Sequence, residues 1–296
     1  MTTTKKILVT GASGLVGQSL CAMLSSRGHT VQTLSRSKGD FTWDPANGKI
    51  DPTALDAIDV VVHLAGESVA QRWTDAAKRR ILNSRVQSSE LLVREILKRD
   101  RPISYISASG INYYGHVNKE PVDETSSSGK GYLAEVCRQW EGAAADLLEA
   151  GRRCVFVRTG VVLSPDGGAL AKLLPPFKAG LGGKVASGEQ MMSWIGLNDL
   201  ARIYTLCVED ESLSGPINAV APEAVTNLAF TKAIGSALGR PTAIPLPALA
   251  VKLIFGEMGQ ETILSDLSVR PAQLKDAGFD WELEQIDEAV SEILKA

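Results

Sequence analysis

Short apolar runs alternate with longer amphipathic stretches through the first half of the chain. Lys6–Thr10 reads as a strand, Gly14–Arg27 as a helix and His29–Leu34 as a second strand. Asp59–Leu64 (DVVVHL) packs three consecutive valines into one strand length, the pattern of a strand buried on both faces. Within Thr74–Lys98, Ile81, Leu82, Val86, Leu92, Val93, Ile96 and Leu97 recur at helical spacing and form one stripe. Pro102–Ser107, Gly131–Ala150 and Cys154–Arg158 continue the series as strand, helix and strand. Such a β-α-β-α order implies an α/β fold, a doubly wound parallel sheet with helices on both faces.

Beyond about Gly160 the texture changes. Glycine and proline become denser, and helical spacing survives at Asp199–Val208, Thr226–Leu238 and Glu284–Leu294. Residues 1–160 are therefore expected to form the main sheet domain, and 161–296 a smaller substrate lobe and C-terminal tail interwoven with it. In that lobe, the loop Gly180–Gly183 and the cluster Met191, Met192, Trp194 suit either a pocket floor or an interdomain contact.

Charge removes several classes of partner. The 31 basic and 34 acidic residues nearly cancel and form no basic block, so no nucleic acid is expected as a partner. No apolar stretch approaches the ~18 residues of a membrane span, and Met1–Lys6 carries no secretory h-region. The four cysteines are widely spaced, without C-x-x-C or clustered histidines, which fits free thiols in a cytoplasmic protein and no metal.

The strongest chemical signal is Ile7-Leu8-Val9-Thr10-Gly11-Ala12-Ser13-Gly14-Leu15-Val16-Gly17, where a strand runs through G-x-x-G-x-x-G into a helix. Gly11 would permit the tight turn, Gly14 the approach of a pyrophosphate, and Gly17 close packing of the helix. The phosphates would rest on the free N–H groups at the start of Gly14–Arg27. NAD sites of this kind place a carboxylate ~20 residues on, against the ribose hydroxyls. Here the second strand ends Ser35-Arg36-Ser37-Lys38, a hydroxyl and a guanidinium that suit the 2′-phosphate of NADP(H).

T-G-A-S-G-L-V-G, then H-L-A-G (His63–Gly66), then S-A-S (Ser107–Ser109) with Y-Y-G (Tyr113–Gly115), resemble an extended short-chain dehydrogenase/reductase. R-W-T (Arg72–Thr74), S-R (Ser84-Arg85), L-A-E-V-C-R-Q-W-E (Leu133–Glu141), R-T-G-V-V-L (Arg158–Leu163), S-W-I (Ser193–Ile195) and R-P-A-Q-L (Arg270–Leu274) are similar to its atypical NAD(P)-binding epimerase-family branch. The resemblance implies a Rossmann fold and NADP(H), with Gly11, Ser13, Gly14 and Leu15 at the pyrophosphate and Ser35 and Arg36 at the 2′-phosphate. It places Asp44 near adenine, although W-D-P equally suits a turn-starting aspartate. Leu64, Ala65 and Gly66 would line the nicotinamide ribose. Relatives pair through long helices, and here a monomer or homodimer is expected.

Short-chain dehydrogenases pair a Ser or Thr with Tyr-x-x-x-Lys, where the i, i+4 spacing sets the ammonium beside the phenol. Tyr132 stands at the tyrosine position and Ser109 (or Ser107) at the serine position, but Val136 replaces the lysine. An unperturbed phenol has a pKa near ~10, and without the cation it stays protonated, a proton donor rather than a base. Tyr113, Tyr114, Glu135 and Glu141 are further candidates near the site, while His63 is expected to make a structural hydrogen bond. Two functions follow: an oxidoreductase or epimerase acting on a small hydroxyl or carbonyl compound, or an NADP(H)-binding protein without turnover.

Overall fold

Along β1 (Lys6–Thr10) the side chains divide between two cores. Ile7 and Val9 enter one with Val60 and Val62, and Leu8 enters the other with Val61. This alternation on both faces is why the buried positions of β1 and β5 (Val60–His63) are apolar up to the last, where Thr10 and His63 hydrogen-bond each other. Each fully buried aliphatic side chain contributes roughly 1.5–3 kcal/mol. The structure is a computed structural model that describes residues 3–117 and 120–295. Met1 and Thr2, the first residues of the segment read as lacking a leader, lie outside it.

Between β1 and β5 come α1 (Leu15–Ser26), β2 (Thr30–Ser35), β3 (Phe41–Asp44) and β4 (Lys49–Ile50). Then follow α2 (Asp75–Leu97), β6 (Ser104–Gly110), α3 (Tyr132–Gly142), α4 (Ala145–Glu149), β7 (Cys154–Thr159), β8 (Val161–Leu163) and α5 (Gly168–Lys178). The remainder is β9 (Met191–Met192), β10 (Trp194–Gly196), α6 (Leu197–Glu209), β11 (Gly215–Ala219), β12 (Val225–Thr226) and α7 (Asn227–Leu238), then α8 (Ala248–Glu261), α9 (Ala272–Asp276) and α10 (Ile286–Lys295).

The main sheet has eight strands in the order β11-β7-β6-β5-β1-β2-β3-β4, parallel except for the antiparallel β3–β4 pair. The chain leaves β1 for β2 on one side and continues through β5 on the other, so the order reverses at β1. Ligands of such sheets bind in the crevice beyond the carboxyl ends at that point. Leu20 and Leu24 of α1 share a core with Leu200, Ile203 and Tyr204 of α6 on one face, and Leu91, Leu92 and Ile96 of α2 pack on the other. Both β11 and α6 come from beyond Gly160, so the second half of the chain completes the first half's sheet.

Three differences from the periodicity have local causes. The helix expected over Gly131–Ala150 is two helices, α3 and α4, separated at Ala143–Ala144, a break that places Ala144 and Leu147 in the sheet's core. Helix α5 forms despite Pro175 and Pro176 because both lie in its last turns and Leu170, Leu174 and Phe177 pack against α7 and α10. The apolar segment Pro245–Gly256 becomes most of α8, interrupted at Gly256, whose φ of 58° is left-handed. Trp194 is fully buried beside Leu163 and Phe230, so it packs the lobe's interior.

Candidate functional site

Gly11 takes φ 71°, and a Cβ there would stand 2.9 Å from the Ala65 nitrogen, so the turn after β1 and the loop after β5 touch backbone to backbone. Gly14 caps α1 with an ordinary φ of −78° and no side-chain cap, and the first turn holds no acidic residue. Among the described residues no side chain caps the opening N–H groups of α1, which leaves them open to a phosphate. At Gly17 a Cβ would collide with the Gly11 carbonyl oxygen, so this glycine lets α1 close on its own entry loop.

These turns border a cleft of about 1260 Å³. Gly11, Ser13 and Gly14 line its floor, Ser35, Arg36 and Asp44 one end, and Leu64, Ala65 and Gly66 its inner wall. Leu15, Gly17 and Ser107 are not among the lining residues. Leu15 packs toward Gly167, where an added Cβ would meet its Cδ2 at 3.3 Å, and Ser107 is buried with its hydroxyl donating to the Ala108 carbonyl. Arg36 is exposed and makes no ion pair or hydrogen bond among the described residues, which leaves its guanidinium available. The Ser35 hydroxyl accepts from the Lys38 N–H at 2.8 Å, while Asp40, the nearest carboxylate in sequence, folds back onto Thr33. Asp44 accepts from Asn47 N–H and Nδ2, with its pKa lowered by those bonds; it is a turn-starting aspartate that also lines the cleft.

The opposite wall is the polar side of α2. Arg79, Asn83 and Gln87 line it at four-residue spacing, together with Arg80, which pairs with Glu67 at 3.0 Å. Sequence reasoning followed the apolar stripe of α2 and missed this one, although the same helical period carries it. His63, beneath the wall, is fully buried between Thr10 Oγ1 at 2.7 Å and Ser88 Oγ at 2.9 Å. Burial, reinforced by the Arg85 charge, pushes its pKa down to about 3, so it is a neutral structural hydrogen-bonding group.

Ser109 and Tyr132 lie in different surroundings. Ser109 donates to Glu141 at 2.7 Å, and Glu141 forks onto Arg158 through Nε at 2.9 Å and Nη2 at 2.7 Å. Arg158 also donates to Tyr114 at 2.9 Å, and its guanidinium carbon lies 3.4 Å from the centre of the Tyr113 ring. Tyr113, Tyr114 and Glu141 thus belong to one buried network, whereas Glu135 forms a half-exposed pair with Arg138.

Tyr132 opens α3 on another side. Its hydroxyl donates to the Lys78 carbonyl at 2.6 Å, its ring packs edge-on to Trp73, and the Lys78 ammonium stands 4.6 Å from the ring centre. Burial pushes the phenol up to about 12, against an opposing pull from Arg85. The α3 side facing β6 carries Cys137, whose sulfur would meet a Cβ on Gly110 at 3.6 Å, and Glu141 one turn on. Continuing back by four residues reaches Leu133, not Tyr132, so the tyrosine is turned one position away from Ser109.

The sheet order, the glycine turn and the cleft at the strand reversal define a Rossmann-type α/β protein. Residues 7–221 match the NAD dependent epimerase/dehydratase family, and the chain belongs to it; residues 246–293 match a domain of unknown function, DUF1731. Among similar proteins, "Epimerase family protein Mb2239" of Mycobacterium bovis is 40% identical over 289 residues, 96% of each chain. Human "Epimerase family protein SDR39U1" is 34% identical, and its crystal structure with NADPH superposes with a TM-score of 0.89 over 98% of this chain and 99% of that one. A UDP-N-acetylglucosamine 4-epimerase from Bacillus cereus, 19% identical with a TM-score of 0.76 over 98% of each chain, shares the fold. Among the described residues no group of three or more His, Cys, Asp or Glu side chains gathers to hold a metal, and no helix is long and apolar enough to cross a membrane.

Proposed function

We propose that the protein binds NADP(H) in the cleft between the glycine turn and α2, and uses NADPH to reduce a small carbonyl compound. The observation that carries the cofactor choice is the end of β2, where Ser35 and Arg36 line the cleft, Arg36 has no partner among the described residues, and β2 and the turn after it place no carboxylate in the cleft, Asp40 being held by Thr33. The NADPH in the human relative's crystal structure supports the same reading. The pyrophosphate would rest on the α1 N–H groups, the 2′-phosphate on Arg36 and Ser35, and the nicotinamide ribose along Leu64–Gly66. The bound cofactor would supply the hydride.

Fluorescence titration is expected to show tighter binding of NADPH than NADH. Arg36→Ala should remove most of that preference, since a charge-assisted hydrogen bond contributes roughly 1.5–3 kcal/mol. Equal affinities in the parent, or a preference untouched by the substitution, would exclude this assignment.

A phenol pushed up to about 12 stays protonated at neutral pH, which suits donation of a proton to a reduced carbonyl and disfavours oxidation. Tyr132→Phe should therefore leave NADPH affinity unchanged while reduction falls ~10²–10⁴-fold. A second reading, cofactor binding without turnover, is favoured by the hydroxyls of Ser109 and Tyr132, which donate to Glu141 and to the Lys78 carbonyl. Unaltered reduction in Tyr132→Phe removes the tyrosine from the mechanism. Tight NADPH binding with no reduction across an aldehyde and ketone panel favours the second reading.

A further inference from the structure

Arg85 reaches from α2 into the space between Gly66 and α3. Its Nη1 donates to the carbonyls of Glu67 and Ile81, both at 2.9 Å, and its Cζ stands 5.0 Å from the centre of the Trp140 ring. Gly66 leaves the room for it, because a Cβ there would lie 3.0 Å from Cζ and 3.2 Å from Nη2. Among the described residues, Nε and Nη2 donate to nothing and the group makes no ion pair. Neither nitrogen is sealed from solvent. Burial pulls the pKa of the guanidinium down, against the nearby Cys137, Tyr132 and Glu67. A largely buried cation without a directly paired carboxylate is costly unless an anion arrives to meet it.

The open edge has a particular shape. Arg27 and Arg158 each use Nε and Nη2 to fork around a carboxylate, Glu209 and Glu141 respectively. That edge presents two parallel N–H groups matched to the two oxygens of a planar carboxylate. Among the described residues the same edge of Arg85 has no partner, and the guanidinium stands beside Gly66, a cleft-lining residue, with Cζ, Nη2 and Nη1 nearest to it.

We propose that the Nε–Nη2 edge of Arg85 receives a carboxylate of the substrate, so that the substrate class is a small carbonyl compound bearing a carboxylate. The proposal rests on the cofactor reading for the position of the nicotinamide but not for the anion site itself. It goes beyond that reading by assigning the substrate's charge and the residue that selects it. No proton or electron moves at Arg85, which binds and orients.

The test uses the full chain loaded with NADPH and titrated with 2-oxobutanoate, benzoate, methyl phosphate and uncharged 2-butanone, followed by cofactor fluorescence and calorimetry. Both carboxylates are expected to bind saturably, and 2-butanone is not. Arg85→Gln should weaken the carboxylates at least about tenfold, equivalent to ~1.4 kcal/mol, while NADPH affinity is unchanged. Arg85→Lys, which keeps the charge and loses the fork, should fall between the two; it serves as the second variant if circular dichroism shows the glutamine form unfolded. Equal carboxylate binding in the variants overturns the proposal, as does saturable binding of methyl phosphate alone. It is also overturned if no carboxylate binds the parent, or if Arg85→Gln loses NADPH instead. Should the parent fail to bind NADPH, the cofactor reading falls, and the same carboxylate titration of the unloaded protein still decides the role of Arg85.

Discussion

Glu141→Ala is expected to destabilise the protein by roughly 3–5 kcal/mol, the usual loss when one partner of a buried ion pair is removed. Arg158 is 3% exposed and would be left with Tyr114 as its remaining side-chain hydrogen-bond partner among those described, while Ser109 would lose its acceptor. Burial works against the guanidinium's charge, and the hydrogen bonds to Glu141 outweigh it, so its pKa is held above the ordinary value. Urea denaturation of the single variants and of Glu141→Leu combined with Arg158→Met reads the effect. The double variant should lose less than Glu141→Ala, because no charge is then left buried and unpaired. Additive losses would show that the pair is not the source of the stability.

The second large effect separates two glycines of the same turn. Gly17→Val should abolish NADPH binding and also lower stability by roughly 1–3 kcal/mol, the scale of overpacking, because its Cβ would drive the Gly11 carbonyl out of the turn. Gly14→Val should abolish binding with little loss of fold. Gly14 has φ −78°, and its Cβ would meet only the Gly11 oxygen at 3.3 Å, while the branched side chain enters the pyrophosphate's space. NADPH titration beside circular dichroism and urea denaturation distinguishes them. Retained binding in Gly14→Val would remove this turn from the cofactor site, and equal stability of the two variants would contradict the separation.

The amino-acid sequence alone determined the frame around the cleft. β1 and β5 announce themselves because burial on both faces demands apolar side chains at Ile7–Val9 and Val60–Val62, and the glycine spacing because φ 71° at Gly11 and the contact at Gly17 exclude a Cβ. Arg36 was legible as a cleft residue because it directly follows the carboxyl end of β2, where the crevice opens. Helices α5 and α8 were not, since Pro175, Pro176 and Gly256 argue locally against helix and only packing overrides them. The break between α3 and α4 follows Gly142, a single glycine ahead of three alanines that favour continuing the helix. The tertiary structure decided how Ser109, Glu141 and Arg158, from three separate elements, share one buried charge network, and that Tyr132 turns toward Lys78 and Trp73. It also left the Nε–Nη2 edge of Arg85 without a partner among the described residues. Spacing along one helix fixes a side chain's direction only relative to that helix; what the side chain meets depends on how the neighbouring elements are rotated and packed, and that is set by the cores they share.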